Sequence, residues 1–113
     1  MKLLRSFFAL GLLLFSVPSL ANFDDDFSRL NDVFRARGVS AAMPLADKLR
    51  DQYGDPRIYA FMGMMAHSEG DVVFAYACYE YYLELSPNGL EVEQIRAFHD
   101  ILKIMLIRVG YAK

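Results

Sequence analysis

Apolar residues recur at every third or fourth position through five short stretches of this chain, and glycine, proline or aspartate closes each stretch. That pattern constrains the fold more than anything else in the sequence. It turns one apolar stripe per segment toward a core and leaves no room for long connections. No run alternates apolar and polar residues between turn signals, so strands are not expected.

The first helix is predicted from about Asp24 to Arg37, with Asp24, Asp25 and Asp26 in the first turn, where acids favour the helix dipole. Phe23, Phe27, Leu30 and Phe34 form its stripe, and Gly38 stops it. Ser40 is placed as the cap of a second helix ending near Tyr53 and Gly54, with Ala42, Leu45, Ala46, Leu49 and Tyr53 as its stripe. Pro44 is expected early in that helix, where a missing N–H costs little. Asp55 followed by Pro56 gives a capping carboxylate and a proline at the first helical position of a third helix, which runs to about Ser68.

Gly70–Asp71 marks the next turn and cap. The fourth helix, Val72 to Leu85, is apolar on most sides and is expected to be the most buried element. Pro87, Asn88 and Gly89 end it, and Asn88 with Glu91 suggests a cap for the fifth helix. Val92, Ile95, Phe98, Leu102, Met105 and Val109 are read as one face of the fifth helix, opposed by Glu93, Arg96 and Asp100. Connections this short force successive helices to run antiparallel, giving one all-α domain of antiparallel helical hairpins.

The first 21 residues are read apart from that domain. Lys2 and Arg5 precede an apolar run from Phe7 to Val17, and small residues Ser19 and Ala21 flank Leu20. This is the pattern of a signal peptide cleaved after Ala21, with a domain over residues 22–113 and a periplasmic or secreted destination. Removing Lys2 and Arg5 leaves ten basic residues against fourteen acids, a charge near −4 with no basic patch. Nucleic acid is therefore not an expected partner. Cys78 is the only cysteine, so no disulfide forms within the chain. No cysteine lies near the cleavage site, so a lipid-anchored form is not expected. In an apolar helical run Cys78 reads as a small core residue rather than a reactive thiol.

Tyr59, Met62, Gly63 and Ala66, then Ala75 and Tyr79, then Pro87 fall at the spacings of a known helical-hairpin repeat, with Gly70–Asp71 at its turn. Over Pro56 to Gly89 the chain thus resembles the tetratricopeptide repeat. Shifting the preceding hairpin by 33 residues lays Ala42 on Ala75, and less closely Ala46 on Tyr79, Leu49 on Tyr82 and Leu30 on Gly63. The resemblance implies a right-handed stack of about two hairpins plus a C-terminal capping helix, with Gly63 and Ala75 small where two helices cross. Ala66 and bulky Tyr82 depart from the family pattern, which implies a looser or differently angled packing onto the next helix.

The resemblance also implies function. In such stacks the first helix of each hairpin lines a concave groove that takes a peptide or partner segment. Arg57, Ala60, Met64 and His67, spaced three, four and three apart, would present that face on the third helix. Exposed tyrosines Tyr76 and Tyr81 are a candidate second surface. The expected role is an exported protein–protein interaction module, an adaptor or assembly factor. A structural subunit docking into an envelope assembly through its apolar last helix is the alternative. Ile101, Ile104, Leu106 and Ile107 give that helix a second apolar face, a candidate homodimer contact.

No catalytic motif (GxSxG, phosphate loop, HExxH or CxxC) occurs, so no enzymatic activity and no cofactor are expected. Met62, Met64, Met65 and His67 raise a remote copper-binding alternative. Helical spacing splits them between two faces, so no metal site is assigned.

Overall fold

The computed structural model describes residues 22–89 and 91–110. They form five α-helices: α1 (Phe23–Arg37), α2 (Val39–Tyr53), α3 (Pro56–Ser68), α4 (Val72–Leu85) and α5 (Val92–Arg108). No strand occurs among the described residues. None of the helices is long and apolar enough to cross a membrane. The leader reading of residues 1–21 lies outside the described residues.

Local chemistry sets most of the boundaries. Asn22 caps α1 by accepting from the Asp25 N–H at 2.9 Å. Asp55 caps α3, with Pro56 in the first turn, and Asp71 caps α4 by accepting from the Phe74 N–H at 3.2 Å. Two predicted caps do not form. Ser40 lies inside α2, because Gly38 alone joins α1 to α2. At φ +85° Gly38 takes a conformation open to glycine, and its carbonyl already receives the Ala42 N–H at 3.1 Å. Asn88 does not cap α5, which begins at Val92 after Glu91 with no side-chain cap. The early start of α2 also moves Pro44 past the first turn, so the Ser40 carbonyl has no N–H to receive there.

Each helix packs chiefly on its chain neighbours. α1 and α3 begin 33 residues apart (Phe23, Pro56), as do α2 and α4 (Val39, Val72). The buried positions repeat with the same offset: Leu30 and Gly63, Ala42 and Ala75, Ala46 and Tyr79, Leu49 and Tyr82. Two apolar clusters result. One joins Leu30, Ala42, Ala46 and Leu49 to Ile58, Phe61, Met62 and Met65 of α3. The other joins Ala60 and Ala66 of α3 to Ala75, Tyr79 and Tyr82 of α4 and to Val92, Ile95 and Leu102 of α5.

α3 therefore serves both clusters and is the most buried helix, a correction to the expectation for α4. Helix α4 is apolar on most sides but leaves Val73, Phe74, Tyr81 and Leu85 exposed. The stripe of α5 is likewise rotated. Leu102 and Leu106 are buried, while Met105 and Val109 are exposed.

Two contacts hold the hairpins shut. At the α3–α4 crossing, a Cβ on Gly63 would fall 2.5 Å from Tyr79 Cε1 and 3.3 Å from Cys78 Cβ. In the first hairpin, Asp26 is buried in the opening turn of α1, where its carboxylate accepts from the Tyr53 hydroxyl and from Arg29, each at 2.5 Å. The Tyr53 hydrogen bond, reinforced by Arg29, holds the Asp26 carboxyl below the usual carboxylate range. The sequence offered Asp26 only as one of three dipole-favouring acids.

Two outcomes are expected. Gly63→Ala gains about 1 kcal/mol of helix propensity. It also overpacks Tyr79 at a cost of about 1–3 kcal/mol, so urea denaturation should show a net loss that Tyr79→Leu in the same chain partly relieves. The lowered Asp26 carboxyl stabilises the fold above the unfolded carboxylate pKa, and that stability disappears as pH falls through the lower folded value. Asp26→Asn should accordingly be less stable at pH 7 and show a shallower loss of helicity on acidification than the wild type.

Candidate binding groove

The face predicted on α3 opens into a trough between α1, α3 and α5. Phe27 and Asn31 line it from α1, Arg57, Ala60, Phe61 and Met64 from α3, and Glu91, Gln94 and Ile95 from the start of α5, around a cavity of about 260 Å³. Toward the end of α3 it adjoins a second hollow lined by Met64, His67, Ser68, Tyr79, Gln94 and Phe98. The four residues singled out in the sequence are thus brought to one surface, yet they differ in what they can offer a ligand.

Ala60 is nearly buried and forms floor rather than wall. Met64 is exposed and flexible. Arg57 is heavily engaged. Its Nε and Nη2 donate to Asp55 at 3.1 and 2.9 Å, Asp24 lies 3.5 Å away, and the guanidinium sits 4.3 Å from the centre of the Phe23 ring. The hydrogen bond to Asp55 raises the Arg57 pKa, and the same bond lowers that of Asp55. Arg57 thus ties the start of α3 to the start of α1.

His67 is also engaged. Its Nδ1 lies 3.3 Å from the Tyr79 hydroxyl, and its ring meets Phe98 edge-on at 5.9 Å. Burial pushes the Tyr79 phenol up to about 12, so that hydroxyl stays protonated and needs the partner that His67 supplies.

The two tyrosines do not share a surface. Tyr81 is 54% exposed and stacks on Tyr59 with ring centres 5.1 Å apart, above a hollow between α2, α3 and α4. Tyr76 is half-buried under α5, stacked on His99 at 4.6 Å. Burial raises its phenol pKa, with Glu80 and Asp100 adding to the shift.

For the groove, the sequence reading named residues on α3 alone. The walls contributed by Phe27, Asn31, Gln94, Ile95 and Phe98 were missed as site residues. A signal was available: moving Ala60 and Met64 back by the 33-residue offset lands on Phe27 and Asn31.

Of the methionines considered with His67, Met62 and Met65 are in the core, whereas Met64 alone shares the trough with His67. Among the described residues, no three His, Cys, Asp or Glu side chains are grouped to hold a metal ion. Cys78 is buried, and burial pushes its thiol up to about 11.

No family model, curated protein or solved structure matches this chain.

The site therefore rests on geometry: an apolar floor of Phe27, Ala60, Phe61 and Ile95, with Asn31, Met64, Glu91 and Gln94 around it. Such a surface can accept apolar side chains while hydrogen-bonding a backbone at its walls. The Cys78 thiol gives a direct check on the packing beneath it. A rise from 9 to about 11 cuts the thiolate fraction near neutral pH. Native protein should then react with a disulfide reagent about 100-fold more slowly than unfolded protein, and stopped-flow absorbance would read the ratio.

Proposed function

We propose that this chain is a protein-binding module that holds a peptide or partner segment in the trough between α1, α3 and α5. The observation that carries the reading is the alternation of its walls. The first, third and fifth helices line the trough, and α4 adds only Tyr79 to the adjoining hollow. A stack of hairpins with α5 as its cap produces that alternation, and the 33-residue spacing of helix starts supports a tetratricopeptide-type arrangement. Within this reading residues 1–21 export the module to the periplasm or beyond it, where it acts as an adaptor or assembly factor without a catalytic step of its own.

The ligand is an extended or helical segment with apolar side chains. Asn31, Met64 and Gln94 make the adaptable contacts, while Arg57, neutralised by Asp55 and Asp24, holds the end of the trough in shape. A second reading, a structural subunit that docks through its last helix, is favoured by the exposed Ile101, Ile104 and Ile107 of α5.

The test is selection from a displayed peptide library, followed by amide shift mapping with the recovered peptide. Shifts are expected at Asn31, Met64 and Gln94, and Met64→Glu with Gln94→Glu should weaken binding about tenfold or more, which is roughly 1.4 kcal/mol. Recovery of peptides that shift only Phe74 and Tyr81 would move the site to the opposite face. A library that yields no binder would defeat the groove reading.

A further inference from the structure

The buried stripe of α5 runs through Val92, Ile95, Leu102 and Leu106. On the opposite side of the same helix stand Ala97, Ile101, Ile104 and Arg108, all exposed and spaced four, three and four apart. At about 100° per residue these four fall within roughly 60° of one another, and their spacing is that of a coiled-coil seam. Ile101 and Ile104 are 56% and 55% exposed. We propose that this seam joins two copies of this chain, with their α5 helices antiparallel about a twofold axis.

Charge selects the occupant and its direction. Glu93 and Asp100 flank the N-terminal half of the seam and Arg108 ends its C-terminal half, while Arg96 and Lys103 both stand further round the helix. A parallel pair would set acid against acid and base against base. An antiparallel pair sets each acidic half on a basic half, and it also aligns the helix dipoles favourably. In the register that places Ile101 of each copy against Ile104 of the other, Arg108 of the second copy lies over Ala97, one turn from both Glu93 and Asp100. Ala97 leaves room for the arginine stem.

Glu93 and Asp100 each have a neighbour already, Arg96 at 3.3 Å and His99 at 3.0 Å, but remain 92% and 62% exposed. Lys103 and Arg108 carry no ion pair among the described residues. The acids argue against an anionic membrane surface as the occupant, since they would repel it. A patch complementary to itself under a half-turn closes as a dimer and does not propagate.

One helix pair of about 25 Å offers less than the about 800 Å² per partner of a standard stable interface. The dimer is therefore expected to dissociate in the micromolar range. The seam is centred about 90° around α5 from Phe98, with Gln94 between the two surfaces, and the dimer does not rest on the proposed peptide site.

Sedimentation equilibrium of protein expressed from the full sequence, from about 1 to about 300 µM, tests the proposal. A monomer–dimer equilibrium is expected, and Ile104→Glu should be monomeric throughout with unchanged circular dichroism. Arg108→Glu should raise the dissociation constant about tenfold, and adding Glu93→Arg should recover most of that loss. A monomer at every concentration overturns the proposal, as does a dimer indifferent to Ile104→Glu. Should Ile104→Glu lose helicity, the charge swap decides alone, and failure of Glu93→Arg to rescue Arg108→Glu overturns the antiparallel seam.

Discussion

The crossing of α3 over α4 at Gly63 is the contact on which the rest of the structure depends. Because Gly63 has no Cβ, the Tyr79 ring can lie where that atom would stand, and the two helices approach closely enough to share one core. A tyrosine buried that deeply brings its hydroxyl with it, and the hydroxyl must be paired. His67 supplies the partner from α3 and in doing so turns its ring toward Phe98 of α5. One missing methyl group thus leads through a buried phenol and an imidazole to the position of the last helix. That position in turn sets the width of the trough.

A similar economy governs the first hairpin. Phe27 and Phe34 pack edge-on against Phe61, seating α1 on α3. The Asp26 carboxylate binds the Tyr53 hydroxyl, so the start of α1 is fastened to the end of α2. Arg57 closes the same corner by reaching Asp55, Asp24 and the Phe23 ring. Several groups that line the trough are therefore structural members as well. Arg57 and His67 are held by their own chain, which leaves Asn31, Met64 and Gln94 as the adaptable part of the surface. A trough built this way is preorganised, and preorganised surfaces lose less free energy to ordering when they bind.

The two exposed sides of α5 have different characters. Gln94 and Phe98 face the trough, whereas Ala97, Ile101, Ile104 and Arg108 look outward. A helix with three distinct faces cannot be read as amphipathic in the usual two-sided sense. That is why the sequence reading put Met105 and Val109 in the buried stripe and Leu106 on a second face. The period of 3.6 fixes which residues share a direction, but it does not say which direction the neighbouring helix occupies.

Local signals along the chain set the five helices, most of their limits and the face of α3 that opens to solvent, but not the starts of α2 and α5. Asp55–Pro56, Gly70–Asp71 and Gly38 act through hydrogen bonds and backbone angles within a few residues of themselves, so their effects can be read locally. The spacing of Arg57, Ala60, Met64 and His67 is equally local. Tertiary structure decided the remainder: that α3 rather than α4 is the most buried helix, that Tyr76 is covered by His99 while Tyr81 is not, that Asp26 is a buried hydrogen-bond acceptor, and that Phe27, Asn31 and Gln94 complete the trough. Each of these depends on which helix lies alongside which. That choice is made by contacts such as Gly63 with Tyr79, between residues far apart in the chain and close only once it has folded.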